Sequence, residues 1–144
     1  MQQHPDVGPI FSGAGVGAYI AGDFERAVRL AERGAELDGS PVALIMLAQA
    51  YGYAGQKEKV IPLLEKAASA GTYTCPYESA AAYLSIDDKE RAISLLDEAV
   101  EKRSNCLMFL RNDPRLEPIR QHPHFAVLLN RVGLDDTAVG SYKR

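Results

Sequence analysis

The chain has no tryptophan, only two cysteines and only three histidines. Cys75 and Cys106 stand 31 residues apart and match no zinc-ligand spacing. A disulfide between them is open, but two reduced thiols is the plainer reading for a cytosolic protein. His122 and His124 are spaced i, i+2, which does not place two side chains on one helix face, and His4 lies far away. No metal site is expected. No charge dominates either: 16 Lys and Arg are scattered among 19 Asp and Glu, for a net charge of −3. Without an electropositive stripe, nucleic-acid binding by this segment is not expected. No apolar run approaches the roughly 18 residues of a membrane span, and Met1-Gln2-Gln3-His4-Pro5 has no basic region leading into one. The sequence therefore reads as soluble and cytoplasmic, with no membrane partner. The β-branched runs that mark strands are also scarce.

What is there favours helix. The 144 residues suit one domain, and 47% are hydrophobic, enough for a core. Alanine and leucine dominate the apolar set. One pattern recurs: Gly22-Asp23-Phe24-Glu25-Arg26-Ala27-Val28, Gly55-Gln56-Lys57-Glu58-Lys59-Val60-Ile61 and Asp87-Asp88-Lys89-Glu90-Arg91-Ala92-Ile93. Ala27, Val60 and Ala92 are separated by 33 and 32 residues, a period of paired-helix repeats. Before each copy an apolar segment ends in an aromatic, Tyr19, Tyr51 or Tyr83. Seven residues after the Ala27-type position comes a small residue, Gly34, Ala67 or Ala99, where helices can approach closely.

These signals predict helices over 10–21, 23–38, 41–54, 57–70, 76–86 and 88–103. Asp23 and Asp88 are placed as N-caps. Pro41 suits a first helical turn after Gly39-Ser40, and Cys75-Pro76 opens the third repeat in the same way. Pro62 is the exception. In a straight helix from Lys57 it would fall past the first turn, so the helix is expected to bend there or to begin later. Beyond residue 104, Asp113-Pro114 starts a helical turn, and His122-Pro123 starts a last helix that buries Phe125, Leu128, Leu129 and Val132.

With these residues in view, the repeat resembles that of the tetratricopeptide (TPR) family. Gly15, Gly22, Asp23, Ala27, Ala31 and Leu37-Asp38 fill its pattern in the first copy. Ala48, Tyr51, Gly55, Val60 and Ala67 fill it in the second, and Ala80, Tyr83, Ala92 and Ala99 in the third. No copy has the family's tryptophan, and Gly39, Thr72 and Ser104 replace its closing proline. The second half, from Thr72-Tyr73-Thr74-Cys75-Pro76-Tyr77-Glu78 through Asp113-Pro114-Arg115-Leu116 and His122-Pro123-His124-Phe125 to Val132-Gly133-Leu134, resembles the C-terminal end of TPR regions in bacterial multidomain regulators. Cys106 stands where that ending usually has tryptophan, and His122 and His124 where it has Asp and Arg. The resemblance implies an all-α solenoid of antiparallel helix pairs as one domain over 1–134. Its repeats would span 9–40, 41–73 and 74–104, with a helical cap over 105–134 and a loose tail over 135–144. It also implies an interaction scaffold belonging to a longer regulator, an expectation that the start of the first repeat near residue 9, with no capping helix ahead of it, reinforces.

Catalysis is not expected. No nucleophile, base and acid are grouped, and the carboxylates mostly fall on charged helix faces. Gly13-Ala14-Gly15-Val16-Gly17-Ala18 matches a dinucleotide fingerprint on paper, but the strand it needs is missing upstream, where Pro5 and Pro9 stand. No cofactor is expected, and these glycines read as letting the first helix pack tightly. The resemblance puts the concave face on the first helix of each repeat. The partner-binding candidates are Val16, Tyr19, Ile20, Val42, Ile45, Met46, Gln49, Tyr53, Tyr77 and Leu84, with Ala81 beside them. Such an apolar groove suits a protein or peptide segment. The alternative is a self-associating structural protein, a homodimer whose groove is filled by its symmetry mate.

Overall fold

The computed structural model describes residues 7–70 and 74–133, and of 7–12 and Asn105 the backbone alone. The described residues are helical and contain no strand. Among the described residues, seven α-helices run in order: α1 (Val7–Ile20), α2 (Phe24–Leu37), α3 (Pro41–Tyr53), α4 (Val60–Ser69), α5 (Pro76–Leu84), α6 (Lys89–Glu101) and α7 (Pro123–Arg131). Three 3-10 segments are added, Lys57–Lys59 ahead of α4, and Asn105–Phe109 and Pro114–Ile119 between α6 and α7. Helices α1 and α2, α3 and α4, and α5 and α6 pack as pairs. Helix α3 touches both α1 and α5, so the first helices of the pairs lie side by side.

The caps follow from the sequence. Asp23 accepts from the Arg26 amide, Ser40 from Ala43 and Asp88 from Arg91, each side chain satisfying an amide that has no partner within its own helix. The turn inside each pair needs one residue in the left-handed region. Gly22 (φ +88°) and Gly55 (φ +87°) supply it, and in the third pair Asp87 does so at φ +63°, aspartate being among the few side chains that tolerate it.

Small residues set the spacing. Ala27, Ala31, Gly34, Ala67, Ala92 and Ala99 are all buried between paired helices. Gly15 is packed so closely that an added Cβ would sit 3.2 Å from the Ala27 carbonyl oxygen, whereas Gly13 and Gly17 face open space. Of the three glycines in the nucleotide-like motif, only Gly15 makes the tight contact. The motif itself lies within α1.

Large apolar side chains fill three linked clusters. Tyr19 and Leu47 anchor the first, and Ile45, Val60 and Leu64 the second. The third joins Tyr77, Leu84 and Leu96 to the cap through Leu110, Leu116, Ile119, Phe125 and Leu128.

Pro62 has a direct structural account. The chain turns through 3-10 geometry over Lys57–Lys59 and α4 begins only at Val60. Pro62 is thereby the third residue of α4, where a backbone N–H has no partner within the helix. Its side chain is exposed. Pro62→Ala is expected to change stability by less than about 0.5 kcal/mol in chemical denaturation.

Gly52 allows α3 and α5 to meet. A Cβ there would lie 1.9 Å from Ser85 Oγ and 2.6 Å from Ser85 Cβ, and the Ser85 hydroxyl is itself bonded to the Ala82 carbonyl at 2.5 Å. Gly52→Ala should destabilise the fold by about 1–3 kcal/mol through overpacking, with the loss visible as a lower denaturation midpoint.

Candidate functional site

The first helices of the three pairs bring a set of polar side chains to one place. Tyr19, at the end of α1, donates its hydroxyl to Gln49 Oε1 on α3. Gln49 is fully buried, and its Nε2 donates to the Glu78 carbonyl at 2.8 Å and to Glu78 Oε2 at 2.7 Å, both on α5. Arg115, on the Pro114–Ile119 segment of the cap, reaches into this group. Its Nη1 donates to Glu78 Oε2 at 2.6 Å and to Gln49 Oε1 at 3.1 Å, and lies 3.4 Å from the Tyr19 hydroxyl.

Asp113 completes the arrangement. It receives Arg115 Nη2 at 2.7 Å, Arg115 Nε at 3.0 Å and the Tyr77 hydroxyl at 2.7 Å. Asp113 also caps the 3-10 segment by accepting the Arg115 amide at 3.0 Å. Tyr53 stacks on Tyr19 with ring centroids 4.6 Å apart. One side chain from the cap is therefore bonded to the first helix of every pair.

Burial and charge explain the ionisation of these groups. Arg115 is 9% exposed. Burial alone would lower its pKa, but the Asp113 and Glu78 carboxylates outweigh that and raise it, so the guanidinium stays charged. Burial alone would raise the Asp113 carboxyl, but the bonds from Arg115 and Tyr77 hold it below the ordinary carboxylate value. Burial pushes the Tyr19 and Tyr77 hydroxyls well up, and Tyr53 to about 12, so all three are neutral across the physiological range, and those of Tyr19 and Tyr77 donate within the network.

The ten sequence candidates separate into groups. Tyr19, Gln49 and Tyr77 are buried and joined in the network, with Tyr53 stacked against it. Ile45 and Leu84 lie in the core rather than along an open face. Ile45 packs with Val60 and Leu64 between α3 and α4, and Leu84 packs with the cap's own cluster. Val16, Val42 and Met46 are half-buried. Ile20 is 47% exposed. The helical period does not separate a side chain facing a groove from one facing the paired helix a few tens of degrees away.

Sequence reasoning gave no role to Arg115 or Glu78, and placed Asp113 only at the start of a helical turn, where it does cap the Pro114–Ile119 segment. The signal was present in two of the segments quoted above, Tyr77-Glu78 and Asp113-Pro114-Arg115, but their meeting depends on how the cap folds back.

At the edge of the network lies a cleft of about 240 Å³ between Ile20 on one side and Phe109, Asn112 and Pro114 on the other. Phe109 is 58% exposed. Asp113 and Arg115 form its polar border, already bonded to each other. A larger cavity, about 480 Å³, opens between Val100, Arg103, Ser104, Leu107, Met108 and Arg131. His122 and His124 sit elsewhere: His122 Nδ1 accepts the His124 amide as the cap of α7, and His124 Nε2 lies 2.8 Å from Asp97. Among the described residues no three His, Cys, Asp or Glu side chains are grouped as a metal would require, and no helix is long and apolar enough to cross a membrane.

Removing Arg115 leaves two carboxylates facing each other without their cation. Arg115→Ala should cost about 3–5 kcal/mol in denaturant unfolding. The depressed Asp113 value also fixes a pH window. Its contribution is fully present above the unfolded carboxylate pKa of about 3.9 and is lost as pH falls through the lower folded value. Asp113→Asn should therefore lower stability at pH 7 and flatten the acid limb of the stability profile below about pH 4.

In comparisons with known proteins, no family model, no curated protein and no solved structure matches the chain.

Proposed function

We propose that the chain is a non-catalytic protein-interaction module of the TPR type, built of three helix pairs and a helical cap. We further propose that it seats an apolar side chain of a partner segment in the cleft between Ile20 and Phe109. The observation that carries this reading is the convergence on one cleft of two large, exposed apolar side chains, one from the end of α1 and one from the cap. Exposed apolar surface that borders a shaped cleft is the usual mark of a contact site. The polar border argues for an apolar anchor and not a charged one, because every nitrogen of the Arg115 guanidinium already has an acceptor within the protein. A partner's carboxylate would have to displace Asp113 or Glu78 to reach it. The likeness of the C-terminal half to the ends of TPR regions in bacterial regulators supports placing the module within a longer regulatory protein.

The test is selection of binders from a random peptide display library on the immobilised chain, followed by fluorescence anisotropy of the selected peptides. Binders with a large aliphatic or aromatic anchor are expected. Ile20→Glu and Phe109→Glu should each weaken binding by about tenfold or more, with the melting temperature within about 2 °C of the original, since surface substitutions have small effects on stability. Unchanged affinity in both variants would contradict the cleft as the site. Light scattering adds a separate outcome: a stable dimer that Ile20→Glu dissociates would make a second copy of this chain the occupant.

A further inference from the structure

Cys75 and Cys106 are remote in sequence but meet at the seam between α5 and the cap. Cys75 is the residue before α5 and belongs to the C-terminal core, while Cys106 lies in the Asn105–Phe109 segment and is partly exposed. Their sulfur atoms are 3.9 Å apart in a thiol–thiol contact. A disulfide bond is about 2.05 Å long, so bonding requires the sulfurs to approach by less than the width of one atom. The Cys75 sulfur also meets the backbone amide of Glu78, whose carboxylate belongs to the network around Arg115. The Cys106 backbone is held at this seam by the Ser104 hydroxyl, which accepts its amide at 3.3 Å.

We propose that Cys75 and Cys106 form a reversible redox pair, oxidised by a low-molecular-weight disulfide such as glutathione disulfide, and that their disulfide clamps the cap onto the third helix pair. The more accessible Cys106, as thiolate, attacks one sulfur of glutathione disulfide. A Cys106–glutathione bond forms and one glutathione thiolate leaves. Cys75 then gives its proton to solvent and attacks the Cys106 sulfur. The Cys75–Cys106 bond forms, the bond to glutathione breaks, and the second glutathione thiolate leaves. Two protein thiols have lost two electrons and two protons, and one glutathione disulfide has become two glutathione thiols. Burial raises the Cys75 thiol, which suits it to the second, resolving step and not to the first.

The consequence is mechanical. The bond closes the loop from 75 to 106, and the segment carrying Asp113 and Arg115 begins seven residues after it. Oxidation holds that segment against α5 even when the polar network is opened.

The test equilibrates the full chain in glutathione buffers of graded redox poise, then traps free thiols by alkylation and measures intact mass and linked peptides. The expected result is a monomer with both thiols protected and one Cys75–Cys106 peptide. Its melting temperature should be about 5–10 °C above the reduced form, a gain reversed by dithiothreitol and absent in Cys106→Ser. The proposal is overturned by a persisting glutathione adduct on Cys106, by disulfide-linked dimers, or by two thiols that stay alkylatable at every poise. A linked monomer with no rise in melting temperature overturns the clamp.

Discussion

A buried guanidinium is tolerated only where acceptors replace its lost water, and Arg115 has them on all sides: two carboxylates, the amide oxygen of Gln49 and, at longer range, the Tyr19 hydroxyl. Those acceptors come from the first helix of each of the three pairs and from the cap itself. The pairs must therefore be stacked at one particular curvature for the set to be satisfied. Apolar packing between alanine-rich helices is tolerant of small rotations and shifts. A charged, fully bonded group is not, and it selects one arrangement among several that would bury similar apolar area. Gly52 serves the same end from the opposite direction, because only a residue without a Cβ lets α3 come against Ser85 at the end of α5.

This closure shapes what the surface can do. An open concave trough would present Tyr19, Gln49, Tyr53 and Tyr77 to a partner, but here their polar atoms are engaged internally or their rings are stacked. Of the ten candidates Ile20 is the most exposed, and with Phe109 it flanks the cleft beside Asp113 and Arg115. A proposed partner would meet an apolar notch with a rigid, electrically satisfied wall. Recognition there would depend on the shape of an anchor more than on charge. Any event that loosens the cap would open the network and change the notch together, because Phe109, Asp113 and Arg115 lie on the same short stretch of chain.

The sequence carried the helices well and the site less well. Alanine, glycine and tyrosine at fixed places in a period near 33 located three helix pairs, and the expected caps Asp23 and Asp88 stand at helix starts because unpaired amides need a local acceptor, as does Ser40, read from the sequence only as part of a break. The expected bend or late start at Pro62 took the form of a 3-10 entry and a helix beginning at Val60. Groove-facing positions were harder. Ile45 and Leu84 share helices with Gln49 and Tyr77, and apolar character alone does not say whether a side chain meets its partner helix or the next pair. Arg115 was illegible for a different reason. Its partners lie as far as 96 residues away, and no local period encodes a contact made by a cap folding back across the whole array. The expectations for residues 1–6, for 71–73 and for the tail from 134 fall outside the described residues.

The central claim is that a cap residue holds the first helix pair in place from the other end of the chain. Native-state hydrogen exchange compared between the wild-type chain and Arg115→Lys tests it most directly, since lysine keeps the charge but loses the planar set of donors. Faster exchange is expected not only in the cap and α5 but also at the end of α1 around Tyr19 and in α3 around Gln49, with α2 and α4 far less affected. Faster exchange confined to the cap and α5 would show that the first two pairs stand without Arg115 and would contradict the account.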